Sequence, residues 1–143
     1  MANVGLLEDN TRIARLCSTM LEYTGHRVTV YQHPRECINA LRLPLLAYEG
    51  RHHASRLSAP VTLPIEVLIL DLQLPEITGI EVLHFLQASP LTRALPLIFC
   101  TASTPSEISR ALNAAPYAAV LEKPFKLQSL GTMVNRTLSL REV

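Results

Sequence analysis

The sequence predicts an α/β protein with a doubly wound, five-stranded parallel sheet. Two observations carry that prediction. Short apolar runs alternate five times with segments of helical periodicity, which argues for successive βα units and helices on both faces of a sheet. Two of the runs, Val67–Leu70 and Leu97–Cys100, are continuously apolar, as strands covered on both faces must be.

The elements follow in order. Val4–Leu7 is a short apolar run ending in Glu8-Asp9, and Ile13, Leu16, Cys17, Met20 and Leu21 then mark one helix face, with Gly25 as the C-terminal cap. Arg27–Tyr31 is β-branched and aromatic, hence a strand. Pro34 sits at a first helical position, and the second helix is expected to run to about Leu43 and stop at Pro44. Residues 44–64 break the alternation with Pro44, Pro60, Pro64 and the basic Arg51-His52-His53 and Arg56. They read as an insertion in which Leu45, Leu46, Tyr48 and Leu57 anchor a small extra helix. Strand 3 is Val67–Leu70, and Thr78 with Glu81 forms a capping box before a helix carrying Ile80, Leu83 and Leu86. Strand 4 ends at Thr101, and Thr104-Pro105-Ser106-Glu107 opens the next helix with a second box. Ala118–Leu121 is strand 5, and Leu127, Leu130, Val134 and Leu138 stripe the last helix.

Composition narrows the function classes. A chain of 143 residues suits one domain, read as 1–143, with 48% hydrophobic residues, enough for a core. A net charge of +1 gives no electrostatic footprint for nucleic acid or an anionic membrane. The longest stretch lacking Asp, Glu, Lys, Arg and His is Ala94–Ser106, 13 residues interrupted by two prolines, too short to span a bilayer. Cys17, Cys37 and Cys100 have no CxxC spacing, and with no signal peptide visible the reading is a reduced, cytoplasmic protein. No phosphate-loop, dinucleotide or serine-hydrolase motif is present. His52-His53 lacks a third ligand at suitable spacing and reads as a basic loop, and His26, His33 and His84 read as surface or half-buried.

The rare residues carry the chemistry. There are ten glutamates but two aspartates, Asp9 and Asp71, and two lysines, Lys123 and Lys126, beside eleven arginines. Glu8 and Asp9, Asp71, Thr101 and Lys123 follow the ends of strands 1, 3, 4 and 5, where ligands bind in such sheets. If strands 1 and 3 are neighbours, three carboxylates converge. Like charges about 4 Å apart repel by roughly 4 kcal/mol at an effective dielectric of about 20. A hard divalent cation with oxygen ligands relieves that, and Mg²⁺ suits carboxylates, waters and phosphate oxygens. Neutralising Asp71 should relieve it too. Lys123 supplies a point charge and Thr101 a hydroxyl, so the set describes phosphoryl transfer onto an aspartate. Taken singly, Asp71 could be a turn residue, Glu8-Asp9 or Asn10 a helix cap, and Thr101 an ordinary strand-end threonine; together they argue for a site.

The stretches Leu6-Leu7-Glu8-Asp9-Asn10, Leu70 to Gly79, Phe99-Cys100-Thr101-Ala102 and Glu122-Lys123-Pro124-Phe125 resemble the receiver domains of two-component response regulators. The resemblance covers nearly the whole chain and implies the flavodoxin-like (βα)5 strand order 2-1-3-4-5, in a stand-alone receiver domain. It implies that Asp71 is the phosphoacceptor, taking a phosphoryl group from a sensor histidine kinase or a histidine phosphotransfer protein. Glu8, Asp9, Asp71 and the backbone carbonyl of Gln73 would hold Mg²⁺, and Thr101 and Lys123 would bind phosphoryl oxygens. Pro124 would follow a cis peptide. Signalling would pass by protein contacts through the face of strand 4, its following helix, strand 5 and the last helix. Such a domain promotes its own phosphorylation and dephosphorylation and is otherwise no enzyme.

Three departures qualify the resemblance. Asp9 and Asp71 lie 62 positions apart, an excess traced to residues 44–64. The family's switch aromatic, three positions before the lysine, is Val120 here, and Tyr117 is out of phase with it. The positions flanking the site are Gln73 and Ser103. The competing readings are a receiver-like interaction module not switched by phosphorylation, and a small flavodoxin-like or phosphatase-type enzyme. The second lacks the acid expected two positions after Asp71, where Gln73 stands. The apolar content is compatible with a homodimer.

Overall fold

The computed structural model describes residues 2–52, 62–73, 79–102 and 104–142. Five strands, β1 (Asn3–Leu7), β2 (Arg27–Tyr31), β3 (Val67–Leu70), β4 (Leu97–Thr101) and β5 (Ala119–Glu122), form one parallel sheet in the order β2-β1-β3-β4-β5. That is the order the resemblance implies. The helices are α1 (Thr11–Tyr23), α2 (Pro34–His52), α3 (Gly79–Gln87), α4 (Pro90–Arg93), α5 (Pro105–Ala114) and α6 (Leu127–Glu142). The short α4, capped by Ser89 with Pro90 in its first turn, has no counterpart in the sequence reading.

Strand pleating divides the core between the two faces. On one face Leu7, Leu68, Leu70, Leu97 and Phe99 pack with Cys37 and Leu41 of α2, Val82, Leu83 and Leu86 of α3, and Ala111 of α5. On the other, Val4, Leu6, Val67, Ile69 and Ile98 pack with Ala14, Cys17 and Leu21 of α1 and Leu130 and Val134 of α6. Every residue of β3 is buried, which explains its unbroken apolar run. The two buried-strand readings and the apolar stripe of α1 therefore have one cause: a sheet covered on both sides.

Local signals set the helix ends. Asn10 caps α1 by accepting the Ile13 N–H at 3.1 Å. At the other end the Gly25 N–H donates to Glu22 and the His26 N–H to Leu21, a Schellman pair that Gly25 closes at φ +95. Thr104 and Glu107 form the expected reciprocal box at the start of α5. The other expected box includes Thr78, which lies outside the described residues, as does Leu57.

Pro44 does not stop α2; the helix continues to His52. A proline inside a helix costs about 3 kcal/mol through its missing N–H and its ring clash. The stripe Cys37, Leu41 and Leu45 offsets that cost, because all three remain buried on one face across the proline. Each buried leucine contributes roughly 1.5–3 kcal/mol. The start of the expected insertion is thus helical, and Leu45 anchors it while Leu46 is exposed. His26, expected at or near the surface, is buried, with Nδ1 accepting the Ala2 N–H and Nε2 facing Asn135 Oδ1 at 2.9 Å.

Replacing Pro44 by alanine restores the missing donor without touching the buried stripe. Pro44→Ala is expected to stabilise the protein by about 1–2 kcal/mol in chemical denaturation. A midpoint at or below that of the wild type would contradict this account of α2.

Candidate functional site

Sheet register brings the site residues to one edge. Leu7 pairs with Leu70, so Glu8 and Asp71 leave β1 and β3 at the same level, and the Asp71 N–H donates to the Leu7 carbonyl at 3.2 Å. Thr101 pairs with Glu122, and the next residue, Lys123, donates its N–H to the Thr101 carbonyl at 2.9 Å. All four side chains therefore start from the carboxyl edge of the sheet. The β1–β3 neighbourhood is the switch point, where the chain winds away to either side and opens a crevice.

Carboxylate oxygens of Glu8, Asp9 and Asp71 lie within 4.8 Å of one another. Glu8 and Asp71 are buried and Asp9 is exposed. Asn10, not Asp9, caps α1, which leaves the Asp9 carboxylate available to the cluster. The Lys123 ammonium donates to Glu8 Oε1 at 2.9 Å and to Asp71 Oδ2 at 3.1 Å. The second oxygen of Asp71 accepts the Gln73 N–H at 2.9 Å, and Glu8 Oε2 accepts the Asn10 N–H at 3.3 Å. The repulsion anticipated from the sequence is thus met, for two of the three acids, by an internal ammonium. Asp71→Asn would remove one of its two bridges as well as one negative charge.

Burial and charge oppose each other here. Burial raises the Glu8 pKa above the ordinary glutamate value, outweighing the hydrogen bond and charge of Lys123 that pull it down. Burial works against the Lys123 charge, but its hydrogen bonds to Glu8 and Asp71 and their charges overcome this and hold its pKa above the usual lysine value. Burial pushes the Cys100 thiol beside the site up to about 12, so it stays protonated and offers no competing thiolate. Thr101 is fully buried at the end of β4. The Lys123–Pro124 peptide is cis, as the resemblance implies.

Two positions behave differently from a uniform switch face. Val120 is half-buried against the α2–α3–α5 core, directly beside Phe99 in the sheet register. Tyr117 lies before β5, at the far end from the acids, where its hydroxyl donates to the Arg93 carbonyl at 3.0 Å and accepts from Gln87. Ser103 lies outside the described residues.

Sequence reasoning also missed an apolar groove. Ile13, Leu16 and Cys17 of α1 and Ala102, Pro124, Phe125 and Leu127 line a groove of about 460 Å³ that opens beside Lys123. Its signal was present in Leu16, an apolar residue of the α1 stripe that is half exposed.

The family model for the response regulator receiver domain matches residues 47–135, well over half of the chain. The chain belongs to this family. Receiver domains are signalling modules of two-component systems whose general role is to accept a phosphoryl group, and the acidic cluster fits such a site. The response regulator SaeR of Staphylococcus aureus is 24% identical over 142 residues, covering 97% of this chain and 51% of SaeR. The chain thus spans about half the length of the curated relatives it matches. Among solved structures, the Vibrio cholerae chemotaxis protein CheY4 superposes with a TM-score of 0.74 at 22% identity, covering 96% of this chain and 98% of CheY4. The signal receiver domain of a LuxO-type repressor protein from Vibrio parahaemolyticus superposes at 0.76 and 20% identity, covering 99% and 92%. Both carry the receiver fold. Among the described residues no helix is long and apolar enough to cross a membrane.

The raised Glu8 pKa has a stability consequence. A carboxyl whose pKa is higher folded than unfolded binds its proton more tightly in the folded state. Its contribution is full at low pH and is lost as pH rises from the ordinary glutamate range through the raised value. Glu8→Gln is expected to flatten the fall in metal-free stability above the ordinary glutamate pKa. Denaturant titrations across that window check it, and identical slopes for both proteins would refute it.

Proposed function

We propose that Asp71 is the phosphoacceptor of a Mg²⁺-dependent receiver domain extending over residues 1–143. The carrying observation is the placement of Asp71: one carboxylate oxygen is fixed by its own loop through Gln73, and the other faces the Lys123 ammonium. In the transfer, an Asp71 oxygen attacks phosphorus, the phosphorus–nitrogen bond to a donor histidine breaks, and an acyl phosphate forms. Thr101 and Lys123 bind the phosphoryl oxygens. Glu8, Asp9, Asp71 and the Gln73 carbonyl hold Mg²⁺, a hard cation suited to this all-oxygen set. When bound, the ion neutralises charge that builds up between the acids and the phosphoryl group. The protein catalyses only the gain and loss of its own phosphoryl group.

The donor is a sensor histidine kinase or a histidine phosphotransfer protein, in the cytoplasm. The apolar groove between α1 and the Lys123–Leu127 segment supports a helical donor seated beside the acids. No nucleic-acid or membrane contact is needed for this reading.

Val120 favours a second reading, an interaction module that keeps the pocket but is not switched by phosphorylation. With Tyr117 tied to Arg93 and Gln87, neither residue supplies an aromatic rotamer to couple Thr101 to the output face.

With acetyl phosphate and Mg²⁺, intact mass should show a gain of about 80 Da for one phosphoryl group in the wild type and none in Asp71→Asn. An unmodified wild type sinks the phosphoacceptor reading. A phosphorylated wild type that binds its partners no differently from Asp71→Asn supports the second reading. Leu16→Glu, in the groove and not itself one of the acid, hydroxyl or ammonium groups, should slow transfer from a histidine donor at least about tenfold while leaving the acetyl phosphate rate unchanged. Equal rates from the histidine donor would remove the groove from the account.

A further inference from the structure

We propose that Gly79 is a positioning residue for the aspartate site: its lack of a side chain sets how closely α3 approaches the backbone that carries Asp71. The inference rests on the reading of Asp71 as phosphoacceptor and concerns a residue outside the acid, hydroxyl and ammonium set.

A Cβ at Gly79 would stand 2.6 Å from Leu72 Cα, 3.0 Å from the Asp71 carbonyl oxygen and 3.1 Å from Leu72 Cδ2. The Gly79 N–H also donates to the Leu72 carbonyl at 3.1 Å. The first residue of α3 is therefore bonded to, and pressed against, the main chain of residues 71–72. Gly5 makes a useful contrast. A Cβ there would meet Ile65 Cδ1 at 2.7 Å, and Ile65 Cγ2 and Leu68 Cδ1 at 3.2 Å, all side-chain atoms able to shift. At Gly25 nothing lies within 4 Å, and at Gly131 only Met20 Cε is near, at 4.0 Å. Of these four glycines, Gly79 is the one whose added carbon would strike main chain, and that main chain belongs to the site. Gly79 is not at positive φ, so the requirement is for space and not for a left-handed backbone.

The strain is relieved away from β3. Leu70 is fully buried, and the Asp71 N–H is tied to Leu7 in the sheet, so β3 cannot retreat. A separation of about 0.8 Å, needed to reach ordinary contact, must fall on α3 or on residues 71–73. Those residues include the Gln73 N–H that orients Asp71 Oδ1 at 2.9 Å. A displaced carboxylate loses that orienter and its 3.1 Å contact with Lys123. Attack on phosphorus needs near-attack geometry, and misplacement of about 1 Å costs on the order of 100-fold in rate. Helix propensity alone would favour alanine at this position, so the two effects predict opposite outcomes.

The test compares Gly79→Ala with Gly5→Ala, a clash of similar closeness remote from the acids. Acetyl phosphate with Mg²⁺ is the donor, the rate is followed by intact mass, and thermal melts record stability. Gly79→Ala should phosphorylate at least about tenfold more slowly per folded molecule, whereas Gly5→Ala, although destabilised, should keep the wild-type rate. A wild-type rate in Gly79→Ala, or equal losses in both variants, overturns the proposal. A second measurement needs no variant. During Mg²⁺ titration of the wild type, the Gly79 amide resonance should shift with the same midpoint as that of Gln73, and an unmoved amide also overturns it. A wild type that accepts no phosphoryl group sinks the phosphoacceptor reading instead, and the Mg²⁺ titration then still reports on Gly79 separately.

Discussion

The acids at the carboxyl edge must share positive charge, and the rest of the site is arranged around that necessity. Parallel register delivers Glu8 and Asp71 to one level, and burial there makes their charges costly. Lys123 answers both at once, with one ammonium at 2.9 Å and 3.1 Å from the two carboxylates. The acids hold the ammonium protonated against its own burial, and the ammonium offsets part of what burial costs Glu8. A divalent cation among Glu8, Asp9 and Asp71 would meet the same demand.

That balance depends on a sheet that cannot slide. A one-residue slip between β1 and β3 would send Glu8 to a different level and swap the slipped strand's core residues to the opposite face. Two separate hydrophobic layers, one against α2, α3 and α5 and the other against α1 and α6, oppose such a slip. The loops that hold the reactive groups are therefore short extensions of a rigid frame. Asp71 and Lys123 each remain hydrogen-bonded to a neighbouring strand one residue past their own.

The route from site to surface is less conventional than the site itself. Val120 is branched and short where the family resemblance leads one to expect an aromatic ring. Tyr117 is committed to a contact at the opposite end of the sheet. Any coupling of Thr101 to the α5–β5–α6 face must pass through backbone and packed apolar groups, such as the Phe99–Val120 pair.

The strands, most helix starts and the convergence of Glu8, Asp9, Asp71 and Lys123 were legible in the amino-acid order, because each rests on a local rule. A parallel strand buried on both faces has to be apolar throughout, as Val67–Leu70 is, and Thr104 with Glu107 caps a helix by contacts three residues apart. Rarity helped as well: with two aspartates and two lysines in the chain, their places at strand ends stood out. Three features came only with the tertiary structure. Local propensity ends α2 at Pro44, but the burial of Leu41 and Leu45 on either side of the proline carries it onward. The bridge from Lys123 to Glu8 spans 115 positions, and no spacing rule says which charge will neutralise which. Gly79 has an unexceptional backbone, and its role lies in the closeness of Leu72 and Asp71, a distance set by how a helix docks on a sheet and not by any neighbour in sequence.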